Sequence, residues 1–78
     1  MSITLTRQAV ERLIQERRRR GWCRDELSRA TKPHRDAQPR VSTRTIADLE
    51  TGRRSTCNET TLTHICRALE VNLDELLA

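Results

Sequence analysis

Val41-Ser42-Thr43-Arg44-Thr45-Ile46-Ala47-Asp48-Leu49-Glu50-Thr51-Gly52 is the stretch that decides the reading of this chain. Val41 and Ile46 lie five apart and bracket Ser42, a good N-cap residue. An apolar residue just before the cap that packs on the fourth helical residue forms a hydrophobic staple. Ile46 and Leu49 fall on one helical face, and Gly52 can take the left-handed stop position. The segment therefore reads as a short helix over 43–51.

The same bracket recurs outward in both directions. Leu5 and Val10 flank Thr6, Trp22 and Leu27 flank Cys23, Cys57 and Leu62 flank Asn58, and Val71 and Leu76 flank Asn72. Thr and Asn are proper caps, Cys23 is a weak one, and Asn72 with Glu75 has the spacing of a capping box. Val10, Leu13 and Ile14, then Leu62, Ile65 and Leu69, keep the helical period, and Gly21 stops the first helix after Arg17–Arg20. Helices are predicted over 7–20, 24–31, 43–51, 59–69 and 73–77. The class is all-α, a compact five-helix single domain over residues 1–78. Ile3-Thr4-Leu5 alternates too briefly to predict a strand. Thr31–Arg40 holds Pro33 and Pro39 and no apolar residue but Ala37, so it reads as a loop, long for a helix–helix connection.

Composition narrows the function classes. A chain of 78 residues with 35% apolar residues and one aromatic builds a single small core, which excludes a large enclosed substrate cavity. The longest apolar run, Leu76-Leu77-Ala78, is far short of a membrane span. No apolar stretch near the start resembles a secretory signal, and three cysteines cannot close a disulfide framework. A cytoplasmic location with reduced thiols is expected.

Charge is unevenly placed. Residues 1–58 carry fourteen of the 15 Lys and Arg against seven acids, a balance of +7; residues 59–78 carry Arg67 against four acids, a balance of −3. A basic body with an acidic end presents one face suited to a polyanion. All the cations but Lys32 are Arg, the residue suited to bidentate phosphate and guanine contacts.

With Arg17 and Gly21, Leu27, Val41-Ser42, Ile46, Leu49-Glu50, Gly52, Leu62 and Ala68-Leu69 through Leu76 in this order, the chain resembles the phage-repressor (lambda repressor, Xre-type) helix-turn-helix family. The resemblance covers nearly the whole sequence. It implies that the third helix lies in the DNA major groove with its N-terminal residues at base edges. Thr43, Arg44 and Asp48 would face bases, and Ser42 and Thr45 would lie near the backbone. Arg24 stands where the family has a phosphate-contacting glutamine, and Arg53 and Arg54 where it has basic backbone contacts. Arg17 and Glu50 would form the family's ion pair between the first and third helices. The family joins its second and third helices by a tight turn; here that turn is lengthened by an inserted loop. Ser28 stands at the usual small position of the second helix, and Glu70 replaces a glycine after the fourth.

The loop's Lys32, Arg35 and Arg40 outnumber Asp36, so a backbone or groove-edge contact is expected from it. Of Arg17-Arg18-Arg19-Arg20, consecutive on a helix, one is expected to pair with Glu50 and the rest to be solvated. Cys57, His64 and Cys66, even with Cys23 or His34, lack metal-ligand spacing, so neither metal nor cofactor is expected. Trp22 is expected as the largest core side chain. No catalytic constellation is visible, and an enzyme is not expected.

The function expected is a sequence-specific double-stranded DNA-binding transcriptional regulator, a repressor. It would act as a homodimer through the C-terminal helix, with Leu73, Leu76 and Leu77, and make no membrane contact. The rival is a protein-interaction module of the same fold, an antitoxin or adaptor holding a partner protein. RNA binding ranks lower, because stacking aromatics beyond Trp22 are missing.

Overall fold

The computed structural model describes residues 2–77. Five helices follow one another, α1 Arg7–Arg19, α2 Arg24–Ala30, α3 Thr43–Thr51, α4 Glu59–Leu69 and α5 Leu73–Leu77. Two short strands, β1 Ser2–Thr4 and β2 Thr56–Asn58, join them. The helix boundaries match the expected ones to within a residue.

Local chemistry sets the helix starts. The Thr6 hydroxyl accepts from the Ala9 N–H at 3.1 Å, and the Ser42 hydroxyl accepts from the Thr45 N–H at 3.1 Å. Cys23 is helped by Glu26, whose carboxylate accepts from the Cys23 N–H at 3.1 Å, one half of a capping box. Asn72 accepts from the Asp74 N–H at 2.8 Å rather than from Glu75. Asn58 departs from expectation: it takes the N-cap backbone conformation without a side-chain cap bond, because it also ends β2.

The strands correct the all-α reading. β1 and β2 pair antiparallel, Ser2 with Asn58, Ile3 with Cys57 and Thr4 with Thr56, and the Leu5 N–H continues the contact to the Ser55 carbonyl at 2.8 Å. Alternation over so few residues is invisible until a partner strand is brought beside it. The pairing ties the start of α1 to the start of α4.

All five helices feed one core. Leu27, Ile46, Leu49, Leu62, Ile65 and Leu69 are its fully buried large side chains, with Leu13, Val41 and Leu76 around them. Trp22 is only half-buried, packed at the core edge with the Arg20 guanidinium 5.9 Å from its ring centroid; the cation takes the place of further apolar cover. Gly52 closes α3 at φ 81°, whereas Glu70 closes α4 in the left-handed region at φ 55°. A side chain there costs roughly 1–2 kcal/mol.

Between α2 and α3 the chain runs through residues 31–42 without helix or strand. Its neck is pinned by buried hydroxyls. The Ser28 hydroxyl donates to the Val41 carbonyl at 2.6 Å, the Thr31 hydroxyl donates to the Ser28 carbonyl at 2.6 Å, and the Val41 N–H donates to the Thr31 hydroxyl at 3.1 Å. Each buried polar group in this knot has a partner, so the knot orders the neck at no desolvation loss. It links the last turn of α2 to the residue just before the N-cap of α3.

Candidate nucleic-acid interface

α3 is anchored by Ile46 and Leu49, which leaves the opposite face of the helix open. Ser42 and Arg44 are exposed on that face, and Thr43, Thr45, Ala47 and Asp48 are half-buried. The hydroxyls are engaged within the protein. Ser42 and Thr45 hydroxyls lie 2.9 Å apart, and the Thr43 hydroxyl donates to Asp25 at 3.0 Å, a carboxylate that also pairs with Arg29 at 2.9 Å. Arg44 is the long donor on this face with no such partner among the described residues.

Glu50, at the last turn of α3, organises the reverse side. Arg17 grips its carboxylate with two bonds, Nε to Oε2 at 2.9 Å and a terminal nitrogen to Oε1 at 2.8 Å, and gives its other nitrogen to the Trp22 carbonyl at 2.8 Å. The two side chains are 10% and 3% exposed, so the pair is buried and its remaining polar atoms are satisfied. Arg24, at the start of α2, donates its Nε to the same carboxylate at 3.0 Å and remains 41% exposed. The structure thus places Arg24 in the α1–α2–α3 junction, with its two terminal nitrogens outside that bond.

The other arginines of α1 are also paired. Glu16 receives Arg20 at 3.1 Å, Arg12 at 3.4 Å and Arg19 at 3.9 Å. Burial works to raise the Glu16 carboxyl, but the Arg20 hydrogen bond and the charges of Arg19 and Arg12 outweigh it and hold it below its ordinary value. Arg17–Arg20 is therefore not one pair plus three solvated charges, as its sequence reads. Arg18 is the one cation before Lys32 with no carboxylate within 4 Å among the described residues.

From Lys32 onward the pattern reverses. Lys32, Arg35, Arg40, Arg44, Arg53, Arg54 and Arg67 make no ion pair among the described residues. Arg44 opens the exposed face of α3, Arg53 and Arg54 follow its C-terminus, and Arg40 precedes its N-terminus; all four are exposed. Arg35 is exposed in the loop between Pro33 and Pro39, and Lys32 and Arg40 stand at its neck. Sequence alone does not separate these two sets of cations, because the difference lies in which carboxylate each one meets across the fold. The knot of Ser28, Thr31 and Val41 was missed for the same reason; hydroxyls flanking a proline loop are its only signal.

No three His, Cys, Asp or Glu side chains converge as a metal site among the described residues. Cys57 and Cys66 are buried core thiols, and burial, followed by the neighbouring Cys57, pushes Cys66 up to about 11. Cys23 is exposed. Among the described residues no helix is long and apolar enough to cross a membrane.

The family model described as a helix-turn-helix domain matches residues 8–78. No curated protein and no solved structure matches the chain. With nearly its whole length covered, the chain belongs to the helix-turn-helix domain family, of the Xre and lambda-repressor-like type.

Proposed function

From that membership we propose that the protein is a sequence-specific double-stranded DNA-binding transcriptional regulator, a repressor acting in the cytoplasm. The observation that carries this reading is that Arg40, Arg44, Arg53 and Arg54, before, on and after α3, are exposed and make no ion pair among the described residues, whereas seven of the eight arginines of residues 7–29 meet a carboxylate. Helix N-termini favour phosphate, and Arg reads guanine O6 and N7 with two bonds. Arg44 is assigned to a guanine, with Thr43 and Asp48 beside it at base edges; a carboxylate there can accept from cytosine N4. Ser42 and Thr45 lie at the backbone, where their hydroxyls can exchange partners for phosphate oxygens. Arg53 and Arg54 neutralise phosphates beyond the helix, Arg24 contributes its terminal nitrogens, and Arg35 reaches a flanking phosphate from the loop.

A recognition unit this small gains affinity by binding as a homodimer on a symmetric site. α5 offers less apolar surface for that than its sequence promises. Leu76 is buried in the protein's own core and Leu73 packs against it, leaving Leu77 as the exposed large apolar side chain of the described residues. A dimer through α5 would centre on Leu77, and Leu77→Asp in analytical ultracentrifugation tests it.

The deciding experiment is selection of bound duplexes from a randomised pool, followed by affinity measured against salt. A preferred sequence, with log K falling linearly with log salt, is the expected result. The second reading, a module that holds a partner protein, draws on Arg24 and Thr43 being engaged inside the fold and on Asp48 in the reading face. It predicts no duplex binding at physiological salt, and that outcome would replace the first.

A further inference from the structure

The hydroxyl knot that closes the loop also shapes the surface between the loop's neck and α4. The Val41 N–H is bonded to the Thr31 hydroxyl, and the residues just beyond each end of the neck, Lys32 and Arg40, line the same cleft. His64 and Arg67 stand three apart on α4, on one face of that helix. These four basic side chains line one open cleft of about 370 Å³ together with Ala30, Thr31, Pro33 and Ala68. Among the described residues no carboxylate lines it, and neither Lys32, Arg40 nor Arg67 is in an ion pair. Burial, then Arg40, then Arg67 hold the His64 pKa below its ordinary value, so the mouth disfavours a further positive charge on the ring. In α1 the chain neutralises all but one of its arginines; here it gathers cations from the loop and α4 with no ion pair among the described residues.

We propose that this cleft is a binding site for a compact, multiply charged small anion carrying phosphate groups, held by Lys32, Arg40 and Arg67 with His64 at its wall. Arginine forks match phosphate oxygens with paired bonds, and lysine adds a point charge. Because Lys32 and Arg40 are the two ends of the loop, a bound anion clamps its neck to α4. The cleft uses none of Arg44, Arg53 or Arg54, so its binding of a small anion is measured separately from the proposed DNA contacts of those residues.

Pyrophosphate is the probe, titrated into the 78-residue chain at constant ionic strength by calorimetry and by NMR of the histidine ring protons. Saturable binding of one equivalent is expected, with the His64 resonance moving, its pKa rising, and the exposed His34 ring barely affected. Each of Arg40→Ala and Arg67→Ala should weaken binding about tenfold or more, as loss of a charged hydrogen-bonding group does. Arg18→Ala removes an unpaired surface charge outside the cleft and should change affinity less than about twofold, as expected of a screened charge. Circular dichroism checks that each variant remains folded. Three results would overturn the proposal. Binding that never saturates is one, and an Arg18→Ala loss equal to that of Arg67→Ala is another. The third is a nonspecific DNA duplex that moves His64 as pyrophosphate does and loses that effect in Arg67→Ala, which would make the cleft a backbone contact.

Discussion

Residues 7–29 carry eight arginines, and seven of them meet a carboxylate; residues 32–67 carry seven cations, and none does among the described residues. The same side chain is held by carboxylates in one region and left without an ion pair among the described residues in the other. The pairs are not equivalent either. Arg7 with Glu11 is 92% and 60% exposed, where a pair contributes roughly 0.2–1 kcal/mol, whereas Arg17 with Glu50 is sealed between three helices. Counting basic residues would therefore overestimate the DNA-binding surface by including charges already consumed.

The largest effect should come from breaking the sealed pair. Arg17→Ala leaves Glu50 with Arg24 alone and the Trp22 carbonyl without its donor, and should destabilise the fold by roughly 3–5 kcal/mol in urea unfolding. Replacing both partners, Arg17→Met with Glu50→Leu, should recover much of that loss, because no buried charge is then stranded. A single variant that unfolds like the parent protein would place Arg17 with the solvated arginines and erase the contrast at its strongest point.

On the other side of the comparison, Arg44→Ala should cost about 1–3 kcal/mol on the preferred duplex and little on random DNA. An equal loss on both would turn Arg44 into a backbone contact. Arg53→Ala should weaken all sequences alike and reduce the salt slope by about one unit; an unchanged slope removes it from the phosphate contacts.

Arg24 lies on the boundary. Glu50 keeps Arg17 when Arg24→Ala is made, so the stability loss should be near 1 kcal/mol or less. The informative measurement is its salt slope. A drop like that of Arg53→Ala assigns Arg24 to both regions, and an unchanged slope confines it to the junction.

The smallest effects are in pH. His64 titrates in the folded protein below its ordinary 6.5, so the unfolded chain binds more protons there, and stability should fall as pH drops from 6.5 through the folded value. His64→Gln should flatten that step in melting temperature. Glu16 is lowered below 4.5, so its contribution is complete above 4.5 and is lost as pH falls through its folded value. Melting temperatures that stayed level from pH 7 to 5 would remove the burden assigned to the bare cations around His64.

The sequence by itself determined the helices. Caps, staples and glycine stops act within a few residues of one another, so Thr6, Ser42, Asn72, Gly21 and Gly52 set boundaries that tertiary packing had no reason to move. Even where a cap was weak, at Cys23, a neighbour three residues on supplied the missing bond. The family and the position of α3 were legible for the same reason, since they rest on the order of those local signals. Tertiary structure alone decided the rest. It paired β1 with β2 across more than fifty residues and so made Asn58 a strand end as well as the N-cap of α4, without a side-chain cap bond. It closed the loop by bonding Thr31 to Val41, and so brought Lys32 and Arg40 beside Arg67. It gave Glu50 both Arg17 and Arg24, while leaving Arg44, Arg53 and Arg54 bare. A charge carries no mark of its partner: whether it stabilises the fold or waits for phosphate depends on which opposite charge the folded chain brings within a few ångströms.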